Sequence, residues 1–120
     1  MTPRSPPTEE WHPVCRLADL EVRRGVAALV HGQAVAIFRT DDDQVHAVGN
    51  HDPYERTSVL ARGIVGLRDD VPFVAPVAHG HAFDLRTGRS LEDEQVSVPV
   101  YDVKVVEGVV LVGHRKAVAA

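Results

Sequence analysis

Six residues in two short stretches carry the side chains best suited to chemistry. His51, Asp52, Tyr54 and Arg56 lie in the run NHDPYER that starts at residue 50, and His79 and His81 flank Gly80 in the run APVAHGH that starts at residue 75. Imidazoles set beside a carboxylate can hold a divalent cation, so convergence of His51, His79 and His81 on Asp52 would make a metal site. The same polar groups on exposed loops would instead recognise a partner, because Tyr and Arg side chains carry much of the energy at interfaces. Recognition is the reading we favour, and the six residues are taken as a candidate contact surface.

Other candidates fall away on their surroundings. Cys15 would need a neighbouring base and an electropositive, accessible niche to act as a nucleophile, and in a valine-rich strand it reads as core. Ser58, Ser90 and Ser97 lack nucleophile-elbow surroundings, and Gly63, Gly66, Gly80 and Gly88 lack the strand-to-helix context of a phosphate loop. Asp41, Asp42 and Asp43 read as a solvated turn, with no further carboxylates at calcium-loop spacing. His12, His31, His46 and His114 read as surface residues. No catalytic, cofactor-binding or metal-ligating residue is assigned.

The elements that must position these loops are strands. Residues 26–30 and 33–39 are apolar runs around the turn His31-Gly32, a tight hairpin. A third strand over residues 44–49 completes a meander after the acidic turn. Residues 58–67 and 71–77 read as two short, bent strands, and residues 96–106 and 109–112 form a last pair around Glu107-Gly108. Pro13 and Pro99 belong at edges or bulges, since proline cannot donate to a ladder. Residues 17–20 suit a turn or a short helical piece. No segment has ten residues of helical periodicity, so the fold class is all-β.

Composition bounds the rest. The chain has 120 residues, 44% hydrophobic and 25% charged, with a formal net charge of −4. That suits one globular domain, and the negative balance argues against nucleic acid, whose phosphates demand gathered Lys and Arg. Cys15 is the sole cysteine, which excludes an intramolecular disulfide and any Cys-rich zinc or iron-sulfur site. Residues 1–10 hold three prolines and lack the apolar core of a signal peptide, so they are expected to be a flexible lead-in. Residues 11–112 are expected to form the domain and residues 113–120 a loose tail. No apolar run is long enough to span a bilayer, and a cytoplasmic location is expected.

The order of features resembles the Rieske domain: a meander, a polar loop, two short strands, a second polar loop, then Phe83-Asp84-Leu85-Arg86-Thr87-Gly88. A Rieske centre takes two Cys and two His. The CxHR and CPxHG loops of that family are matched here by Asn50-His51-Asp52-Pro53 and by Ala75 to Gly80, and neither supplies a thiol. The chain is more similar to a cluster-free branch, the small subunit of assimilatory NAD(P)H-dependent nitrite reductase. Trp11 with Val14-Cys15, the run VAIFR from residue 35, the run VLARGIVG from residue 59 and Val98-Pro99-Val100-Tyr101 carry that resemblance over residues 11–112. Its small subunits usually have a Lys- or Gln-containing turn where this chain has His79-Gly80-His81.

With the hairpin order, the resemblance implies two antiparallel sheets with the Asn50 to Tyr54 and Ala75 to His81 loops close together at one end, in a small, non-redox chain that docks to a large subunit. FAD, a [4Fe-4S] cluster and sirohaem would sit on that large subunit, where nitrite is reduced to ammonium. Two other functions compete. One is a ferredoxin-like Rieske electron carrier, which the cysteine count opposes, and the other is a stand-alone binding module that uses the former cluster pocket.

Overall fold

A computed structural model describes residues 11–116 of the chain, so the expected lead-in and the last four residues lie outside the described part. Among the described residues, all regular structure is strand, apart from 3-10 turns at Leu17–Asp19 and Leu60–Arg62. The strands are β1 (His12–Arg16), β2 (Val26–Val30), β3 (Gln33–Arg39), β4 (Val45–Gly49), β5 (His51–Asp52), β6 (Thr57–Ser58), β7 (Ile64–Arg68), β8 (Val71–Ala75), β9 (Phe83–Asp84), β10 (Val100–Val106) and β11 (Val109–Arg115). They form a six-stranded sheet in the order β1-β11-β10-β4-β3-β2, a three-stranded sheet β7-β8-β9, and a two-stranded β5-β6 ribbon. Every named pair is antiparallel.

The divider of the molecule is β3. Side chains alternate across a strand, and here both faces are covered, so Val35, Ala36, Ile37 and Phe38 are all fully buried. Val35 and Ile37 point into one core with Leu20, Val30, Ala47, Tyr101, Val110 and Val112. Ala36 and Phe38 point into the other, with Val48, Leu60, Val74, Phe83, Leu85 and Val98. The second of these cores joins the large sheet to the three-stranded sheet, which carries the second loop. Burying a side chain of the size of Phe38 or Phe83 stabilises the fold by roughly 1.5–3 kcal/mol.

Turn chemistry sets the register. His31 and Gly32 both have positive φ, 49° and 79°, as the tight β2-β3 hairpin requires. Pro13 sits on the outermost strand of the large sheet, where the β1-β11 register slips between Pro13 and Cys15. The acidic turn is more than solvated surface: Asp41 ion-pairs with Arg23 and Asp43 with Arg39. The hydrogen bond from Arg23 lowers the pKa of the Asp41 carboxyl.

Four expectations need correction. The sheets number three, because the first loop is itself a small hairpin, β5-β6. The strand expected from residue 58 starts only at Ile64, since the buried Leu60 plugs the core in a 3-10 turn and the Gly63 N–H donates back to the Leu60 carbonyl at 2.9 Å. The strand expected from residue 96 starts at Val100, because Pro99 has no N–H to give and the Val98 N–H is taken by the Gly88 carbonyl at 2.8 Å. The tail expected from residue 113 is strand as far as Arg115, which pairs with Tyr101.

Candidate functional site

The two loops meet. The first leaves β4 through Asn50, whose side chain is buried and whose Oδ1 accepts the Ala61 N–H at 2.8 Å. The Asn50 N–H donates to the Ala34 carbonyl at 3.0 Å, and its carbonyl accepts the Leu60 N–H at 3.1 Å. One residue thus anchors both ends of the β5-β6 hairpin to the large sheet. Around its turn, the Arg56 N–H closes onto the Asp52 carbonyl at 2.7 Å, with Arg56 in the left-handed region at φ 59°.

The second loop leaves β8 at the buried Ala75 and Pro76 and turns where the Gly80 N–H donates to the Pro76 carbonyl at 2.8 Å. Gly80 has φ 74°, a conformation that favours glycine. Glu92 fixes the exit of the loop. Its Oε2 accepts the Ala82 N–H at 2.8 Å while its other oxygen pairs with Arg68 at 3.0 Å.

Between the loops, the carboxylate of Asp52 is fully buried and accepts twice. Oδ1 takes the Tyr54 N–H at 2.9 Å, and Oδ2 meets His79 Nε2 at 2.7 Å. The His81 N–H donates to His79 Nδ1 at 2.9 Å. With Nδ1 an acceptor, the ring proton of neutral His79 belongs on Nε2, where it donates to Asp52. Tyr54 fills the remaining space, with ring centroids 5.0 Å from His79, 4.6 Å from His81 and 5.8 Å from Phe83. Its hydroxyl shares a 2.8 Å hydrogen bond with Ser90 Oγ. His81 Nδ1 is buried with no hydrogen-bond partner, and the His81 and Tyr54 rings pack at nearly right angles.

Of the six candidate residues, Asp52, Tyr54, His79 and His81 come together. His51 and Arg56 face outward, both exposed. The contemplated convergence of His51 with His79 and His81 does not occur, because β5 alternation turns His51 away from the buried Asp52. Among the described residues, no group of three or more His, Cys, Asp or Glu is placed to hold a metal ion.

The residues do not fit a [2Fe-2S] cluster. Neither loop offers a thiolate, both nitrogens of His79 are engaged within the protein, and the Tyr54 ring stands between the loops. Cys15 lies on β1 and packs against the other core. Burial, and secondarily the Asp19 carboxylate, raises its pKa above the ordinary value, away from the thiolate that ligation or attack would need.

Some site residues were not singled out from sequence. Asn50, Ser90 and Glu92 act through backbone and hydroxyl bonds that only the fold brings within reach. Val77, 73% exposed, stands over an apolar hollow of about 340 Å³ with Val59, Pro76 and Ala78, rimmed by Glu55 and Arg62. The signal was present as the apolar run Ala75-Pro76-Val77-Ala78 that opens the second loop. His46 was expected to point outward, yet it is half-buried and its Nε2 is fully enclosed without a partner.

Comparison with known proteins places this architecture. Residues 10–113 match the Rieske-like [2Fe-2S] domain family. The nitrite reductase (NADH) small subunit of Salmonella typhimurium is 41% identical over 102 residues, which cover 84% of this chain and 94% of that protein. A crystal structure described as an NADH-dependent nitrite reductase small subunit from Mycobacterium tuberculosis superposes with a TM-score of 0.85 at 42% identity, over 89% of this chain and 96% of that one. The nitrite reductase [NAD(P)H] large subunit of Klebsiella oxytoca is 31% identical over 113 residues, 94% of this chain but only 12% of that protein. A domain of this kind is therefore built into that longer polypeptide.

Proposed function

The chain belongs to the nitrite reductase (NADH) small-subunit branch of the Rieske-like [2Fe-2S] domain family, and from that membership we propose that it is the non-redox small subunit of an assimilatory NAD(P)H-dependent nitrite reductase. It acts by docking to the large subunit, which carries FAD, [4Fe-4S] and sirohaem and reduces nitrite to ammonium. The isolated chain is inactive, and the complex works in the cytoplasm. Among the described residues, no helix is long and apolar enough to cross a membrane.

The observation that carries this reading is the Asp52–His79 contact at 2.7 Å. It closes the two loops on each other with a hydrogen bond where a redox-active relative would use a metal cluster. The ends of the loops are thereby held rigid, and a rigid scaffold with exposed loops makes a recognition surface. The Klebsiella oxytoca large subunit supports the choice of partner, since there a related domain shares one chain with the rest of that protein.

Within the candidate surface, the buried and exposed members divide the work. Asp52, Tyr54, His79 and His81 hold the loops in place. His51, Arg56 and the hollow under Val77 meet the large subunit, with apolar area at the centre and charge from Glu55 and Arg62 at the rim. The electron-carrier alternative lacks ligands for a cluster. The binding-module alternative needs room between the loops, and the rings of Tyr54, His79 and His81 take up that room.

The test is genetic and biochemical. A clean deletion should abolish most NADH-dependent nitrite reduction in extracts and be restored by the intact chain supplied in trans. Unchanged activity in the deletion strain would refute the subunit assignment.

A further inference from the structure

We propose that the concave face where the turn after β9 meets the end of β11 is a binding site for a phosphate-bearing small molecule, held by Arg86, Arg89, Arg115 and Lys116 with the hydroxyls of Thr87 and Ser97. These side chains line a cleft of about 460 Å³. The site is separate from the docking loops and stands independently of the subunit assignment.

The backbone builds the cleft from two directions. On one side, Gly88 takes φ 80° and its N–H donates to the Asp84 carbonyl at 2.7 Å, a tight turn that projects Arg86, Thr87 and Arg89. The Gly88 carbonyl accepts the Val98 N–H at 2.8 Å, and Arg89 bridges to Ser97, so that wall is tied to the approach to β10. On the other side, Arg115 lies opposite Tyr101 and the Lys116 N–H donates to the Val100 carbonyl at 2.7 Å.

What distinguishes this cleft is that four cations gather in it, since among the described residues Arg16, Arg56, Arg62 and Lys104 also form no ion pair but do not share a concavity with one another. The chain carries a formal net charge of −4, and it pairs Arg23, Arg24, Arg39 and Arg68 with carboxylates at 2.5–3.1 Å. Here Arg86 alone has a carboxylate partner, Asp84, at 3.3 Å. Among the described residues, the side chains of Arg89, Arg115 and Lys116 form no ion pair, and Glu94 is the one acid in the lining. Gathering like charges in a concavity is unfavourable unless an anion compensates.

The basic cleft has a titratable neighbour. An adjoining cleft of about 270 Å³ shares Arg86, Val100 and Lys116, and His46 lines it. His46 Nε2 is enclosed by the protein without a hydrogen-bond partner. The His46 ring therefore stands beside the basic cleft as a reporter of what enters it, while Nε2 itself is closed off. Planar guanidinium forks match phosphate oxygens in pairs, and the hydroxyls of Thr87 and Ser97 add neutral contacts. A group of several negative charges fits this set better than a monoanion.

Full-length, isotope-labelled protein would be titrated with pyrophosphate, adenosine monophosphate, inorganic phosphate and adenosine, followed by amide and imidazole resonances. Pyrophosphate should give saturable shifts at Gly88, Arg89, Val100 and Lys116 and in the His46 ring. The double variant Arg89→Ala/Arg115→Ala should bind it at least about tenfold more weakly, the scale of one strong charged contact, with an unchanged melting temperature. Arg56→Ala, in the docking loop, should bind as the intact chain does. Adenosine monophosphate binding more tightly than inorganic phosphate, with adenosine silent, would identify a phosphate ester; equal binding would identify the free anion. The proposal is overturned if shifts fail to saturate, if sodium chloride at equal ionic strength reproduces them, or if the double variant retains full affinity.

Discussion

Asp52 and His79 stand 27 positions apart in the chain and 2.7 Å apart in the fold, in a contact that joins the β5-β6 hairpin to the loop after β8. Asp52 has no solvent exposure, so its two oxygens are satisfied only by the donors that reach them: the Tyr54 N–H and His79 Nε2–H. The pair works as a latch between loops.

Removing the donor should therefore cost more than the contact itself. His79→Ala leaves one carboxylate oxygen of Asp52 buried without its partner, and urea unfolding should show a loss of about 2 kcal/mol. Asp52→Asn should cost a similar amount. With His79 Nδ1 already occupied by the His81 N–H, the asparagine NH₂ would face a second donor at Nε2. An Asp52→Asn protein as stable as the parent would contradict the assigned tautomer.

His46 gives a pH signature. Burial lowers its pKa from the ordinary 6.5, with Lys116 and Arg86 acting in the same direction against the attraction of Asp42 and Asp84. Below that value the unfolded chain holds more protons at this site than the folded chain, so this contribution makes stability fall as pH drops through 6.5 toward the lower folded value. The pH slope of unfolding free energy between neutral and mildly acidic conditions should be shallower in His46→Gln. Identical slopes in the two proteins would rule out the buried imidazole as its source.

The strands were legible because alternation and turn chemistry agree along much of the chain. The β2-β3 hairpin, its His31-Gly32 turn and the edge position of Pro13 follow from local rules alone. The boundaries that failed are tertiary in origin: Leu60 leaves the extended conformation to fill a core, and Val98 gives its N–H to Gly88. In the site, the meeting of the two loops was legible from the Rieske resemblance together with the order of hairpins. The division between the buried Asp52 and the exposed His51 depended on the register of the two-residue β5, which no periodicity could fix. His46 was misread because strand alternation tells which face a side chain takes and not what covers that face.

Iron chemistry should be absent from the purified chain. A [2Fe-2S] centre with two imidazole ligands also takes two thiolates, and the loops have none. Anaerobic reconstitution with ferrous iron and sulfide should yield no stoichiometric iron, no acid-labile sulfide and no visible absorbance. A stable coloured species at one cluster per chain would overturn the assignment of a non-redox role.

The most direct measurement is the affinity of the purified chain for the purified nitrite reductase large subunit, compared with that of a Val77→Asp variant. Val77 is exposed and outside both cores, so its replacement should leave folding intact while it places a charge over the apolar hollow. We expect saturable binding by the intact chain and a loss of at least about tenfold, or about 1.4 kcal/mol, in the variant. Full affinity in the variant would contradict docking through the loops, and no binding by the intact chain would contradict the subunit role itself.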